Sequence, residues 1–125
     1  GAMPHVLVIA IGGALGAVSR YGISLLARRL FGEFFPIGTL SVNVIGSFII
    51  GFCSIYFLNR MPTNSSVIVF VMVGFLGALT TFSSFSLETL QLFNSHHFAY
   101  AALNVILNLS LCLGGVGLGV YLARV

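Results

Sequence analysis

The sequence predicts an all-α integral membrane protein with four transmembrane helices per subunit, and three observations carry that prediction. Of the 125 residues, 58% are hydrophobic and only 6% are charged, far from the balance of a soluble globular domain. Gly38–Leu58, Val67–Leu87 and Phe98–Ala123 contain no charged residue, and each exceeds the roughly 18-residue apolar run that reads as a membrane span. Val6–Ala27 also has spanning length and carries a single charge, Arg20. The connections are short, with Pro36 in the first, Pro62 in the second and Asn94–His97 as the third. The expected helices cover roughly residues 5–29, 38–59, 67–93 and 98–123, in one domain over 1–125. No segment has the length of a soluble domain, so the bilayer is the expected surrounding and nucleic acid is not an expected partner. Four helices enclose little volume, which implies self-association.

The first helix lacks the charged start and short apolar core of a signal peptide. Gly12 and Gly16 form a GxxxG pair, as do Gly115 and Gly119 in the fourth helix, and Ser47 and Gly51 repeat the spacing in the second. Lipid supplies little hydrophobic force between helices, so these positions predict close backbone approach. They indicate helix contact and nothing specific about chemistry. Cys53 and Cys112 fall mid-helix, where a thiol is a small apolar filler. His96 and His97 share a loop with no Cys or acid beside them, too few ligands for a metal. No catalytic constellation appears, and an enzyme is not expected.

The second helix places Asn43 at membrane depth. In the fourth, Asn104, Asn108 and Cys112 recur every four residues and share one face. The plain alternative for any one amide is interhelical hydrogen bonding, worth about 0.6 kcal/mol on average. As a set with Thr80, Thr81, Ser83, Ser84 and Ser86, these neutral donors instead describe a path suited to an anion or water. A cation path more typically carries acids, and Glu88 is the one acid inside a helix.

The third helix holds the densest signal, TTFSSFS at Thr80–Ser86. Gly74 and Gly77 weaken the helix and Thr80 and Thr81 are poor helix formers, so a break is expected between Gly77 and Thr81. Irregular backbone at membrane depth survives only when buried in protein or lining water, and freed carbonyls can hold a hard cation such as Na⁺. Phe82 and Phe85 share a face. Their positive ring edges favour an anion where no formal positive charge stands; simple packing is the alternative.

The arginines are almost balanced across the bilayer. Arg28 and Arg29 flank the first connection, Arg60 the second, and Arg124 lies near the C-terminus, with no lysine. The bias that orients membrane proteins is therefore close to nil. It leaves open a single weakly preferred orientation or dual topology, in which copies insert both ways and pair antiparallel.

Three motifs in order, GGALGAVSRYGIS, GTLSVNVIGSFIIG and GFLGALTTFSSFSLET, resemble the Fluc (CrcB-type) fluoride channels of bacteria, over essentially the whole chain. The resemblance implies an antiparallel dual-topology homodimer in the bacterial inner membrane. Two pores would export fluoride passively and confer fluoride resistance. It implies that Phe82 and Phe85 contact fluoride with their ring edges and that Asn43 is a pore amide donor. The hydroxyls of Thr81, Ser83 and Ser84 would lie beside them. Gly77 and Thr80 would give carbonyls from both subunits to a central structural Na⁺. The family's fourth-helix track of hydroxyls is matched here by Asn104, Asn108 and Cys112, a departure towards amides. Arg20 would stand in a vestibule and Glu88 near a pore end. The rival is a small multidrug-type cation/proton exporter, which needs an acid in helix one; here that helix has Arg20 and none.

Overall fold

In a computed structural model, which describes residues 2–125, the chain is entirely helical outside its connections. Gly1, the first residue of the expected domain, lies outside the described residues. Helix α1 spans Ala2–Phe31. Gly32 ends it with φ +88°, and its N–H donates to the Arg28 carbonyl at 2.8 Å, a left-handed cap that favours glycine. Pro36, which cannot donate a backbone hydrogen bond, precedes α2, Ile37–Tyr56. That helix stops short of the expected residue 59. The Arg60 guanidinium donates to the Tyr56 carbonyl at 2.8 Å and lies 4.0 Å above the Tyr56 ring, so a side chain satisfies a terminal carbonyl.

The third span, Ser66–Asn94, is assembled from unlike pieces. They are α3 (Ser66–Ile68), a π-helical segment (Val69–Phe75), α4 (Leu76–Leu79) and α5 (Phe82–Asn94). Between α4 and α5 the backbone is extended, with Thr80 at φ −87°, ψ 155° and Thr81 at φ −150°, ψ 113°. The final helix, α6, spans Phe98–Arg124. The Phe34 ring packs edge-on against His97 at 5.0 Å and Tyr100 at 4.9 Å between centroids, tying the first connection to the start of α6.

Helix α2 is the most enclosed of the four spans. It lies along α6, while α1 backs onto the π-helical segment and α4, and α5 leans on α6. Val42, Leu76 and Leu79 form the buried centre, with Ile23, Ile49, Ile50, Val71 and Phe75 around it. The glycines at these seams permit backbone contact. A Cβ on Gly12 would stand 2.7 Å from the Phe70 carbonyl oxygen, and one on Gly16 would overlap that of Phe75. Cβ atoms on Gly51 and Gly119 would overlap the Val116 and Phe48 carbonyls. The outward faces carry Leu7, Ile11, Leu15 and Val18 on α1 and Ile106, Leu113 and Leu118 on α6, all exposed. Such continuous apolar surface suits lipid, and the chain is a multi-pass membrane protein with four spans.

Candidate functional site

The site is built around the extended pair Thr80–Thr81, and side chains take over the hydrogen bonds that a continuous helix would make there. The Thr81 N–H, which a helix would direct to Gly77, donates to Asn43 Oδ1 at 2.8 Å. Asn43 Nδ2 returns a hydrogen bond to the Thr81 carbonyl at 3.2 Å. One side-chain amide thus satisfies both backbone groups of Thr81, as buried polar groups require. The Ser84 N–H, which a helix would direct to Thr80, donates instead to Thr81 Oγ1 at 3.1 Å, an N-cap that starts α5. The carbonyls of Gly77 and Thr80 therefore lack the amide four residues on. Arg20 Nε donates to the neighbouring Ala78 carbonyl at 3.0 Å, which holds α1 to the end of α4.

Behind this junction lies a row of buried amides. Asn43, Asn104 and Asn108 are 9%, 1% and 5% exposed, so each must find partners inside the protein. Asn43 Nδ2 also donates to Asn108 Oδ1 at 3.2 Å. Asn108 Nδ2 donates to the backbone and side-chain oxygens of Asn104 at 2.9 and 3.0 Å. Asn104 Nδ2 donates to Thr89 Oγ1 at 2.9 Å, and the Thr89 hydroxyl donates to the Phe85 carbonyl at 2.7 Å.

A cavity of about 270 Å³ opens beside the row, and its lining includes Asn43, Thr80, Thr81, Phe82, Phe85, Asn108 and Cys112. None of its lining residues is charged. The Phe82 and Phe85 rings are 5.2 Å apart between centroids and tilted by 56°. Phe85 is 8% exposed and Phe82 is 73% exposed, so one ring is fixed by packing and the other faces outwards. Two phenyl rings and two uncharged side-chain amides border a mostly apolar cavity, and ring edges carry the positive end of the quadrupole, which can attract an anion without trapping it.

A second cavity of about 340 Å³ lies on the other side of Thr81, and its lining includes Arg20, Ser24, Thr39, Thr81, Ser84 and Glu88. Among the described residues, Glu88 Oε1 is buried without a hydrogen-bond partner. Thr81 is thus shared by two chambers, one neutral and one charged. The residues anticipated from sequence divide accordingly. Asn43, Thr80, Thr81, Phe82, Phe85 and Asn108 meet at the first cavity, and Arg20, Ser84 and Glu88 meet at the second. Ser83 is exposed, with its hydroxyl 3.2 Å from that of Thr81, and lines neither. Asn104 also lines neither and reaches the first cavity through Asn108. At Gly77, a Cβ would meet no described atom within 4 Å, so the side of the residue where a side chain would stand is open. Sequence reasoning passed over Thr39 and Thr89. The available signal was spacing: Thr39 lies one turn before Asn43, and Thr89 one turn after Phe85.

No group of three His, Cys, Asp or Glu suited to a metal occurs among the described residues. Residues 7–120 match the protein family described as CrcB-like protein, Camphor Resistance (CrcB). A Coxiella burnetii (strain CbuK_Q154) protein named fluoride-specific ion channel FluC is 46% identical over 121 residues, covering 96% of this chain and 98% of its own. Proteins of the same name from Shewanella sp. strains ANA-3 and W3-18-1 are 52% and 53% identical over 118 residues, covering 94% of each chain.

Proposed function

The chain belongs to the CrcB-like family, and from that membership and the site we propose that it is a fluoride channel and not an enzyme, one that lets the anion leave the cell passively. The observation that carries this reading is the cavity bounded by Phe82, Phe85, Asn43 and Asn108, whose wall is mostly apolar, with a few polar groups and no charge. Fluoride is small and strongly hydrated, so its passage needs substitute hydrogen bonds. A fixed cation would bind it too tightly to let it go, and conduction needs sites the ion can leave. Ring edges, together with amide and hydroxyl donors that exchange a protein partner for the ion, meet both demands. Arg20, on the far side of Thr81, attracts the anion without lining the neutral chamber. Hydrogen fluoride is a weak acid that crosses lipid uncharged and dissociates inside, and the membrane potential then drives the anion outwards. In a bacterium the channel would sit in the inner membrane and confer resistance.

The finer reading is an antiparallel, dual-topology homodimer with two pores. The balanced arginines support it, as does the width of the uncovered apolar surface. A structural Na⁺ on the dimer axis fits the donors present. The carbonyls of Gly77 and Thr80 have lost their helical partners because Asn43 and Thr81 side chains took the amides, and the side of Gly77 where a side chain would stand is open. Neutral backbone oxygens suit a hard monovalent cation. Such an ion would join two subunits and stabilise the assembly by mass action, so sodium-free preparations should lose dimer stability.

The test is efflux from proteoliposomes loaded with KF, followed with a fluoride electrode. Rapid fluoride release with negligible chloride release is expected; folded protein that releases no fluoride would overturn the function. Single-cysteine labelling from each side should find every loop reachable from both faces, and a one-sided pattern would exclude dual topology. Lysines added to the first connection should orient all copies one way and reduce flux.

A further inference from the structure

The polarity of the buried amide row is forced at three points by groups that can act in one sense only. The Phe85 carbonyl can only accept, so the Thr89 hydroxyl gives its proton there and must accept from Asn104 Nδ2. Asn104 Oδ1 and its backbone carbonyl then both receive from Asn108 Nδ2, which turns Asn108 Oδ1 towards Asn43 Nδ2. At the far end the Thr81 N–H can only donate, so it meets Asn43 Oδ1. Every amide in the row therefore has one orientation, and flipping any one of them sets donor against donor at a buried contact. Thr89 and Asn104 line neither of the two cavities around Thr81, yet they decide which edge Asn108 and Asn43 present.

We propose that Thr89 and Asn104 are positioning residues for the anion path, acting through a one-directional hydrogen-bond relay, Asn43 to Asn108 to Asn104 to Thr89 to the Phe85 carbonyl. The relay holds the Asn43 and Asn108 amides in one orientation beside the cavity and anchors the backbone of the buried ring Phe85 to α6. It is a device of this chain's amides: serine or threonine hydroxyls at the same places would rotate freely and carry no fixed sense. The inference rests on the fluoride-channel reading for its flux consequence and on geometry alone for the relay itself, so its test has two arms.

In the first arm, Thr89→Val removes the hydroxyl at nearly constant volume and Thr89→Ser keeps it. Purified variants are reconstituted and fluoride efflux is measured per folded protein. Thr89→Val is expected to lower flux at least tenfold while Thr89→Ser stays within twofold of wild type. In an Asn43→Ser, Asn108→Ser background, Thr89→Val should cost less than twofold more, because the relay then has no amide beside the cavity left to orient. Wild-type flux from folded Thr89→Val would overturn the proposal, and so would the same loss in both backgrounds. In the second arm, side-chain amide hydrogen exchange is followed by NMR in wild-type protein labelled on asparagine. The Asn43, Asn104 and Asn108 amides should exchange at least a hundredfold more slowly than an exposed asparagine. Exchange of the Asn104 amide at the exposed rate would overturn the relay, even where Thr89→Val does not fold. If wild-type protein releases no fluoride while these amides are protected, the channel reading fails and the relay stands.

Discussion

Helices α2 and α6 run side by side, and their two ends meet by opposite means. Around Gly51 and Gly119 the backbones touch: a Cβ on either glycine would overlap the partner helix's carbonyls at Val116 and Phe48. Around Asn43 the side chains meet instead, amide to amide, at Asn108, which is held in turn by Asn104 of its own helix. At Gly51 and Gly119 the contact is backbone to backbone and leaves no room for a side chain. The amide end must satisfy every N–H and C=O internally because lipid offers no partner, and borders the cavity of about 270 Å³. In a bilayer, contact between small residues makes a seam, and contact between hydrogen-bonding residues makes a chamber.

The comparison breaks first at the glycine end. Gly119→Leu should abolish recovery of folded protein, since the crowding atoms are backbone of Phe48 and Phe52 and cannot rotate away; overpacking of this kind costs about 1–3 kcal/mol or more. Gly114→Leu is the control, because a Cβ there meets nothing within 4 Å among the described residues. Size-exclusion recovery of the two side by side checks it, and equal recovery would mean that the seam is not backbone-limited.

Next in size is Asn43→Ala. It strips both partners from Thr81 and one from Asn108. A buried group left unpaired costs about 1–3 kcal/mol, so the variant should melt several degrees lower, and its fluoride flux should fall by at least tenfold. Normal flux from folded Asn43→Ala would remove the amide from the path.

The two rings sharpen the contrast within the chamber. Phe82→Ile and Phe85→Ile both keep bulk and remove the positive edge, so each should slow efflux by about tenfold, or 1.4 kcal/mol of barrier. Stability should separate them. Phe85 is 8% exposed and Phe82 is 73% exposed, so only Phe85→Ile should cost stability, about 1 kcal/mol, seen as a lower melting midpoint. Efflux and melting on the same preparations decide the matter, with unchanged flux from both variants rejecting ring-edge contact.

The smallest effect is expected across Thr81, at Arg20. Arg20→Gln should slow efflux by roughly twofold to tenfold at low ionic strength. The difference should fade as salt rises and screens the attraction. A salt-independent deficit would point to the Ala78 hydrogen bond rather than to the charge.

Legibility in the sequence followed the range of the force involved. The four spans were readable because the hydrocarbon core demands length and the absence of charge, and both are local counts. The shared face of Asn104 and Asn108 was readable from the four-residue repeat. The π-helical turn of Val69–Phe75 was not: it lies against Gly12 and Gly16 of α1, and Gly74 within it marks the close approach but not the wider turn. Thr89 was missed because a hydroxyl next to a carboxylate, Glu88, and two residues from a glutamine, Gln91, looks like an ordinary helix end. Its partner Asn104 stands across a loop on another helix.

What the sequence determined alone was the solvent and the inventory. Its composition imposes four membrane-spanning helices, and its uncharged polar residues impose internal hydrogen bonding, since lipid accepts neither charge nor an orphaned amide. Only the tertiary structure decided which amide meets which backbone group. Asn43 reaches Thr81 across 38 positions and Asn108 across 65. A side chain with two donors and two acceptors has no preferred partner until packing supplies one. Once α2, α5 and α6 are packed together, the Phe85 carbonyl and the Thr81 N–H leave the buried row a single direction.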